Sequence, residues 1–166
     1  FGLDIEVTKI GFKYIAEIMA QEPVLVGGEE SGGLAVSGHI PERDGIWIGL
    51  TIMEFMAKTG KSIKELIQEV YDRVGSFAYD RDDLHLTEAK KQSIIKQCQE
   101  GSLKGFGPYQ VEHVEDIDGF KFYFGGSRWV MIRPSGTEPV LRVYAQAPEH
   151  GEVRQILDAT HKALLG

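Results

Sequence analysis

Apolar positions in the first part of the chain follow two periods, one typical of strands and one of helices. Residues 3–7 alternate as a strand does, and residues 11–20 carry apolar side chains at helical spacing. Residues 24–26 form a short apolar run followed by two glycines, which is typical of a buried parallel strand. Strand, helix and strand in this order predict a βαβ unit, in which ligands bind beyond the carboxyl ends of the strands.

Two more helices are predicted before residue 75. Asp44 can cap a helix over about residues 45–58, and this segment is apolar on nearly every face, so we expect it to be largely buried. Ser62 and Glu65 have the spacing of a capping box, which predicts a second helix from there to about Val74.

After Gly75 the pattern is that of an α+β module. Strands are predicted at residues 76–84, 109–114, 120–124, 129–132 and 140–145, and helices at residues 87–99 and 149–165. Asp118-Gly119 is typical of a hairpin turn. We therefore predict an α/β plus α+β protein: a partial three-layer βαβ domain over residues 1–74, then a four-stranded antiparallel sheet with two helices over residues 75–166.

Composition narrows the functional classes. The 166 residues carry a formal net charge of -7, which argues against a general nucleic-acid or anionic-membrane surface, since both need clustered Lys and Arg. The single cysteine, Cys98, cannot form an internal disulfide, which favours a reducing compartment. We see no membrane-spanning run and no signal-peptide pattern, so we expect a cytoplasmic protein.

A glycine-rich loop, residues 27–33, follows the predicted strand 24–26. It holds Glu29 and Ser31 two positions apart, between glycines that permit positive φ and close backbone approach. Carboxylates bond hydroxyl groups more strongly than neutral acceptors do, so this loop is a candidate for binding sugar hydroxyls. A turn with solvated acids explains the same residues.

The connection that follows, residues 38–45, contains His39 and Arg43. His39 is a candidate general acid or base, because an imidazole changes its charge near neutral pH. A solvent-facing histidine is the alternative. Arg43 is a candidate for balancing the acids or binding phosphate, and its alternative is a surface pair with Glu42 or Asp44.

Residues 133–139, here called the Arg133 connection, join two predicted strands. Arg133 offers a bidentate fork for phosphate oxygens, and Ser135 and Thr137 add hydroxyl donors. Gly136 lets backbone amides converge on an anion, and Arg142 on the next strand either reaches the same anion or faces solvent. A tight β connection built from Pro, Ser and Gly is the alternative.

Three stretches resemble segments of the α-D-phosphohexomutases, the family of the phosphoglucomutases and phosphomannomutases. Residues 28–32 followed by 39–45 resemble that family's sugar-specificity loop. Residues 133–139 through Arg142 and Tyr144 resemble the phosphate-binding loop of its fourth domain. Residues 11–15 resemble a third-domain stretch near the sugar site. The resemblance covers essentially the whole chain.

The resemblance implies a four-domain enzyme around one cleft. A phosphoserine in the first domain would donate its phosphoryl group to a hexose 1- or 6-phosphate. The resulting hexose 1,6-bisphosphate would then return its other phosphoryl group to the serine. A magnesium ion in the second domain would support this transfer. The hexose phosphate and the upstream domains 1–3 of the same polypeptide are the implied partners.

The resemblance also implies roles for residues of this chain. Glu29 and Ser31 would bond O3 and O4 of the sugar, so that glucose and mannose would both fit. The residues that would bind the phosphate that is not reacting are Arg133, Ser135, Gly136, Thr137 and Arg142. Lys13, His39 and Arg43 would line the cleft.

Two positions depart from relatives within the family. Gly33 stands where some members carry histidine, and Arg43 stands where others carry lysine. Because arginine stays protonated at any working pH, the proton-shuttle role of that lysine cannot be transferred, and the acid/base residue stays open.

We find no phosphoserine loop and no Asp-Gly-Asp metal loop, and the chain opens with Phe1-Gly2. We therefore expect a fragment, the latter part of domain three plus domain four, that binds substrate but contains neither the catalytic serine nor the metal site. A non-enzymatic phosphosugar- or anion-binding module is the alternative.

Overall fold

A computed structural model describes residues 2–135 and 138–166, and the chain divides into two compact units, Phe1–Glu69 and Val70–Gly166. Its helices are α1 (Phe12–Gln21), α2 (Gly45–Thr59), α3 (Ile63–Val74), α4 (Glu88–Gln99) and α5 (His150–Leu165). Its strands are β1 (Val26–Gly28), β2 (Leu34–Val36), β3 (Ala78–His85), β4 (Gly105–Phe106), β5 (Tyr109–Gln110), β6 (His113–Glu115), β7 (Phe120–Tyr123), β8 (Trp129–Pro134) and β9 (Val140–Ala147). The predicted mixture of helix and sheet is confirmed. Within the described parts of the chain, no helix combines the length and apolar character needed to cross a membrane.

The first unit contains a short hairpin rather than the predicted pair of parallel strands. β1 pairs antiparallel with β2, with Val26 opposite Val36 and Gly28 opposite Leu34. Residues 3–7 form no strand, and Leu3 and Ile5 are exposed. Alternating apolar residues form a strand only where a neighbour supplies the hydrogen-bond ladder, and no described strand pairs with this stretch.

Helix α2 begins and ends where the sequence predicts, but its predicted burial is wrong. Gly60 ends it in the left-handed conformation with φ 68°, as a glycine at this position can. The apolar side chains on α2 stay exposed, Ile46 at 81 % and Met53 at 65 %. Within the first unit β2 packs against α2, and a three-residue strand covers little of a fifteen-residue helix.

The cap of α2 is as predicted. Oδ1 of Asp44 accepts hydrogen bonds from the backbone amides of Ile46 (3.1 Å) and Trp47 (2.9 Å). The amide of Trp47 in particular, and then the bond from His39, hold the pKa of Asp44 below its ordinary value. A carboxyl with a lowered folded-state pKa stabilises the fold above its ordinary range near pH 4, and this stabilisation is lost as the pH falls through the folded-state pKa.

We predict that Asp44→Ala speeds hydrogen exchange of the Ile46 and Trp47 amides several-fold at neutral pH, because it removes their acceptor. Asp44→Asn keeps an oxygen acceptor at the cap and should leave this exchange nearly unchanged. The exposed Asp4→Ala is the control. Equal exchange in Asp44→Ala and in the unmodified chain would show that the cap does not hold the first turn.

Helix α3 starts from the predicted capping box. The Glu65 carboxylate accepts from the backbone amide of Ser62 (2.8 Å) and from its hydroxyl (2.7 Å), and the Glu65 amide donates to Oγ of Ser62 at 3.3 Å. The division between the two units falls within this helix.

The second unit is built on one antiparallel sheet in the order β3-β9-β8-β7-β6. It has five strands rather than the predicted four, because β3 pairs with β9 along all eight residues, from Ala78 opposite Ala147 to His85 opposite Val140. The predicted strand at residues 109–114 is split between β5, which pairs with the unpredicted β4, and β6, which joins the large sheet. Asp118-Gly119 lies in the β6–β7 connection as predicted, with φ 84° at Gly119.

Helices α4 and α5 cover one face of this sheet. The large side chains that are fully buried there come from the sheet, from the two helices and from the small β4–β5 sheet: Phe122, Ile132, Leu141, Ile94, Ile156, Leu157 and Phe106. Alternation along β9 places Leu141 and Val143 on this core face, so Arg142 and Tyr144 lie on the opposite face. The register then assigns Arg133 to that opposite face as well, since it pairs with Arg142.

Cys98 lies on the buried face of α4, in this core, and burial raises the pKa of its thiol to about 12. We predict that iodoacetamide modifies Cys98 about 1,000-fold more slowly in the folded chain than in urea at pH 8, because the thiolate is the reactive form. Equal rates in the folded and unfolded chain would contradict the burial of this thiol.

Candidate functional site

The glycine-rich loop is the turn of the β1–β2 hairpin. It is closed by hydrogen bonds from the Glu29 amide to the Gly33 carbonyl and from the Gly32 amide to the Glu29 carbonyl, each 3.0 Å. Gly32 adopts φ 89°, a conformation that side chains other than glycine rarely adopt. The turn therefore carries Glu29 and Ser31 on a compact backbone rather than on a free loop beyond a parallel strand.

Glu29 and Arg43 are held together. Nη1 of Arg43 lies 3.1 Å from Oε2 of Glu29, and the Glu29 side chain is only 13 % exposed. Nε of Arg43 also contacts Oε1 of Glu42 at 3.3 Å, and its guanidinium carbon lies 5.3 Å from the centre of the Phe12 ring at the start of α1. Arg43 therefore does form the surface pair with Glu42. The same guanidinium also orients Glu29, the carboxylate that is the candidate for binding sugar hydroxyls.

Gly33 makes room for this ion pair. A Cβ at position 33 would lie 2.5 Å from Cδ and 3.0 Å from Cγ of Arg43, so any side chain there must displace the arginine. The glycine at position 33 and the arginine at position 43, the two departures noted in the sequence, are therefore physically linked.

His39 is held by α2 and not by the glycine-rich loop. Its Nε2 lies 2.9 Å from Oδ2 of Asp44, and its ring stacks on Trp47 with centroids 4.5 Å apart and an interplanar angle of 11°. Asp44 thus serves the helix with one oxygen and the histidine with the other. The remaining two predicted residues, Ser31 and Lys13, are exposed, and Nζ of Lys13 lies 4.8 Å from the centre of the Tyr14 ring.

In the second unit, four charged side chains flank the Arg133 connection on the face opposite the core. Arg133 on β8 is directly opposite Arg142 on β9, and Arg142 is directly opposite Asp83 on β3. Asp118 completes the group, with its Oδ1 3.4 Å from Nε of Arg133. Two like charges in a directly opposed cross-strand pair repel each other, so the pair depends on the flanking carboxylates or on a bound anion.

Within the described part of the chain, the guanidinium of Arg142 has only long contacts to carboxylates and one donor without an acceptor. Its Nη2 lies 3.6 Å from Glu138 and its Nε lies 4.0 Å from Asp83. The Nε atom is buried and makes no hydrogen bond to any residue that the structure describes. A buried charged donor without an acceptor is costly, and a phosphate oxygen would satisfy it.

The β6–β7 turn supports Arg133 from the other side. A Cβ on Gly119 would lie 2.8 Å from the Ile132 carbonyl oxygen and 3.1 Å from Cβ of Arg133. Glycine at this position therefore allows the turn, and with it Asp118, to approach the arginine closely.

Ser135 is the first residue after β8 and is 8 % exposed. Its amide donates to the Val140 carbonyl at 2.9 Å, and its Oγ accepts from the Glu138 amide at 3.3 Å, which leaves the hydroxyl hydrogen available to donate. The predicted phosphate ligands Gly136 and Thr137 lie outside the described residues.

One residue near this connection was not anticipated from the sequence. Lys91 on α4 is buried, and its ammonium donates to the carbonyl oxygens of Ser135 (2.9 Å) and Glu138 (3.1 Å). Helical spacing could have indicated its burial. Lys91 precedes Ile94 by three residues and Ile94 precedes Cys98 by four, which places the lysine on the buried face of α4.

Metal ligation finds no support in these residues. Among residues 2–135 and 138–166, no three His, Cys, Asp or Glu side chains come together in a way that could hold a metal ion. Asp118, which a search for acidic clusters would select, faces Arg133 instead.

Comparison with known proteins gives two family matches. Residues 1–74 match the model described as phosphoglucomutase/phosphomannomutase, alpha/beta/alpha domain III. Residues 85–163 match the model described as phosphoglucomutase/phosphomannomutase, C-terminal domain. Together the two matched stretches cover nearly the whole chain.

Individual relatives agree with these models. A phosphoglucomutase/phosphomannomutase of Thermococcus kodakarensis is 29 % identical over 98 % of this chain and 33 % of its own length. A phosphoglucosamine mutase of Limosilactobacillus fermentum is 31 % identical over 99 % of this chain and 33 % of its own. A crystal structure described as a phosphomannomutase from Thermus thermophilus matches with a TM-score of 0.75 and 31 % identity, over 100 % of this chain and 32 % of that one. The chain thus spans about a third of the length of these relatives.

Proposed function

Since this chain belongs to the phosphoglucomutase/phosphomannomutase family, we propose that it is the C-terminal, substrate-binding part of an enzyme that interconverts hexose 1-phosphates and hexose 6-phosphates. The parent enzyme would transfer the phosphoryl group through a phosphoserine and a hexose 1,6-bisphosphate. We assign neither the phosphoserine nor the ligands of the metal ion to residues of this chain.

The observation that carries this proposal is the opposed pair of Arg133 and Arg142. Two guanidinium groups on one sheet face, one with a buried and unsatisfied Nε, suit a dianionic phosphate better than a solvated surface. Ser135 adds a hydroxyl directly after β8. These groups bind a phosphate without activating it, which fits the phosphate that does not react.

In the first unit, the Glu29 carboxylate is the proposed acceptor for sugar hydroxyls. Arg43 fixes one of its oxygens at 3.1 Å, so the carboxylate presents the other in a defined direction. The exposed hydroxyl of Ser31, two residues along the same tight turn, is the proposed second ligand. Lys13 and His39 are proposed to lie at the edge of the bound sugar.

General acid/base chemistry is not proposed for Arg43. A guanidinium keeps its proton at any working pH and is already committed to two carboxylates. His39 uses Nε2 for its bond to Asp44 and stacks on Trp47, which leaves the other ring nitrogen, Nδ1, for any proton transfer. Arg43 is therefore proposed as a positioning residue.

A magnesium ion would neutralise charge on the phosphoryl group in transfer. The described residues do not fit such an ion, because no three His, Cys, Asp or Glu side chains among them come together in a way that could hold a metal. We therefore propose that its ligands, like the phosphoserine, belong to parts of the parent outside this chain, and we derive no step through it.

The test is a ³¹P NMR assay of the full-length parent on glucose 1-phosphate, mannose 1-phosphate and glucosamine 1-phosphate. We expect conversion of at least one to its 6-phosphate. The third substrate is included because a phosphoglucosamine mutase is among the relatives.

A parent that binds these sugar phosphates without converting any of them would contradict the proposal. That result would support the alternative, a phosphosugar-binding protein that is not an enzyme.

A further inference from the structure

Lys91 is a buried cation that the functions assigned above do not use. It is 7 % exposed on α4, whose Ile94 and Cys98 are part of the core. Placing an ammonium in such a position is unfavourable unless it is paired and hydrogen-bonded. An unbranched apolar side chain would fill the same space without that penalty, so the charge itself requires an explanation.

The partners of Lys91 are backbone oxygens of the Arg133 connection. Its Nζ lies 2.9 Å from the Ser135 carbonyl oxygen and 3.1 Å from the Glu138 carbonyl oxygen. Both carbonyls belong to the connection, so one ammonium ties together two of its residues that are three positions apart. Because both carbonyl oxygens face the lysine, their partial negative charges point away from an anion bound elsewhere on the connection.

The charge of Lys91 is only weakly balanced. Among the described residues, the carboxylate beside it is that of Glu88, whose Oε2 is 3.8 Å away and whose side chain is 62 % exposed. Exposed carboxylates are screened by water and contribute little to such a pair. Most of the positive charge of the Lys91 ammonium is therefore not neutralised, and it lies on the core side of the connection.

The location of Lys91 complements that of the two arginines. Arg133 and Arg142 lie on the sheet face opposite the core, whereas α4 covers the core face. The connection is thus supported by cations from both sides of the sheet. Charge interactions are strong where water is excluded, as around the buried ammonium.

We infer that Lys91 is a positioning residue for phosphate binding, which holds Ser135 and Glu138 of the Arg133 connection in place and adds a buried positive charge behind them. This inference rests on the proposed role of that connection. Lys91 itself contacts the backbone, and the phosphate would contact the arginines and the connection.

The experiment is a ¹H–¹⁵N NMR titration of the 166-residue chain with inorganic phosphate, comparing Lys91→Met with the unmodified chain. We expect Lys91→Met to weaken phosphate binding about tenfold, the effect of losing about one charge-assisted hydrogen bond. Lys96→Met is the matched control, because Lys96 is on the same helix but 73 % exposed, and it should bind phosphate like the unmodified chain.

A second measurement needs no substitution. The ammonium protons of a buried, hydrogen-bonded lysine exchange with water slowly enough to be detected, and we expect phosphate to shift the Lys91 ammonium signal. This readout separates an effect on the anion site from a loss of stability in Lys91→Met.

The inference is overturned if phosphate leaves the Lys91 signal unmoved, or if a folded Lys91→Met chain binds phosphate as the unmodified chain does. If binding survives in Lys91→Met but is lost in Arg133→Ala, the inference fails and the proposed function stands. If the unmodified chain shows no binding at millimolar phosphate, both fail together.

Discussion

Arg133→Ala should weaken the binding of inorganic phosphate to this chain by about 100-fold, the effect of losing a bidentate charge-assisted contact. Arg142→Ala should have an effect of similar size, because the two guanidinium groups are directly opposed and would contact the same anion. A ¹H–¹⁵N titration that follows the Ser135 and Glu138 amides measures both affinities.

Folding should survive these substitutions. Removing either arginine relieves the repulsion within a like-charge cross-strand pair, so the thermal midpoint should change by no more than a few degrees. Arg128→Ala is the matched control, since Arg128 precedes the same strand about 17 Å away and pairs with Glu152. Undiminished phosphate binding in Arg133→Ala, or an equal loss in Arg128→Ala, would contradict the assigned site.

The second large effect is expected in the glycine-rich loop. In the full-length parent, Glu29→Gln should lower kcat/KM for hexose 1-phosphate about 100-fold, because the amide loses the charge that strengthens its bonds to sugar hydroxyls and also loses its ion pair with Arg43. Steady-state kinetics with the purified parent would measure this change.

Glu30→Gln provides a matched control in the adjacent position. Glu30 is exposed on the same turn, and the proposal gives it no contact with substrate, so its kcat/KM should stay within about twofold of the unmodified enzyme. Similar losses in both variants would indicate that the turn contributes general negative charge rather than one oriented carboxylate.

Local patterns predicted the helices well and the pairing of strands less well. The caps at Asp44 and Ser62 were predictable because the interacting residues lie within three positions of each other. β1 was expected to be a parallel strand, and it forms a hairpin with β2. Pairing depends on which strand lies alongside, and local periodicity does not contain that information.

Burial was the weakest prediction for the same reason. The apolar sequence of α2 indicates that the helix prefers to be covered, but whether anything covers it depends on distant elements. Lys91 illustrates the converse: its place on the buried face of α4 follows from helical spacing, whereas its bonds to Ser135 and Glu138 span more than forty residues.

The candidate sites were predictable as residue types but not as contacts. Glu29, Arg43, Arg133 and Arg142 were all selected from their chemistry. The Arg43–Glu29 pair, the space that Gly33 provides for it, and the opposed register of the two arginines emerged only with the three-dimensional arrangement.

The central claim is that this chain binds a hexose phosphate but cannot convert it. It is tested most directly by adding glucose 1-phosphate to the ¹⁵N-labelled chain and recording ¹H–¹⁵N and ³¹P spectra from the same tube. We predict shifts of amides in the glycine-rich loop and the Arg133 connection, with the ³¹P signal of glucose 1-phosphate unchanged over hours. Growth of a glucose 6-phosphate signal in proportion to the chain, or no amide shifts in either loop at millimolar ligand, would contradict the account.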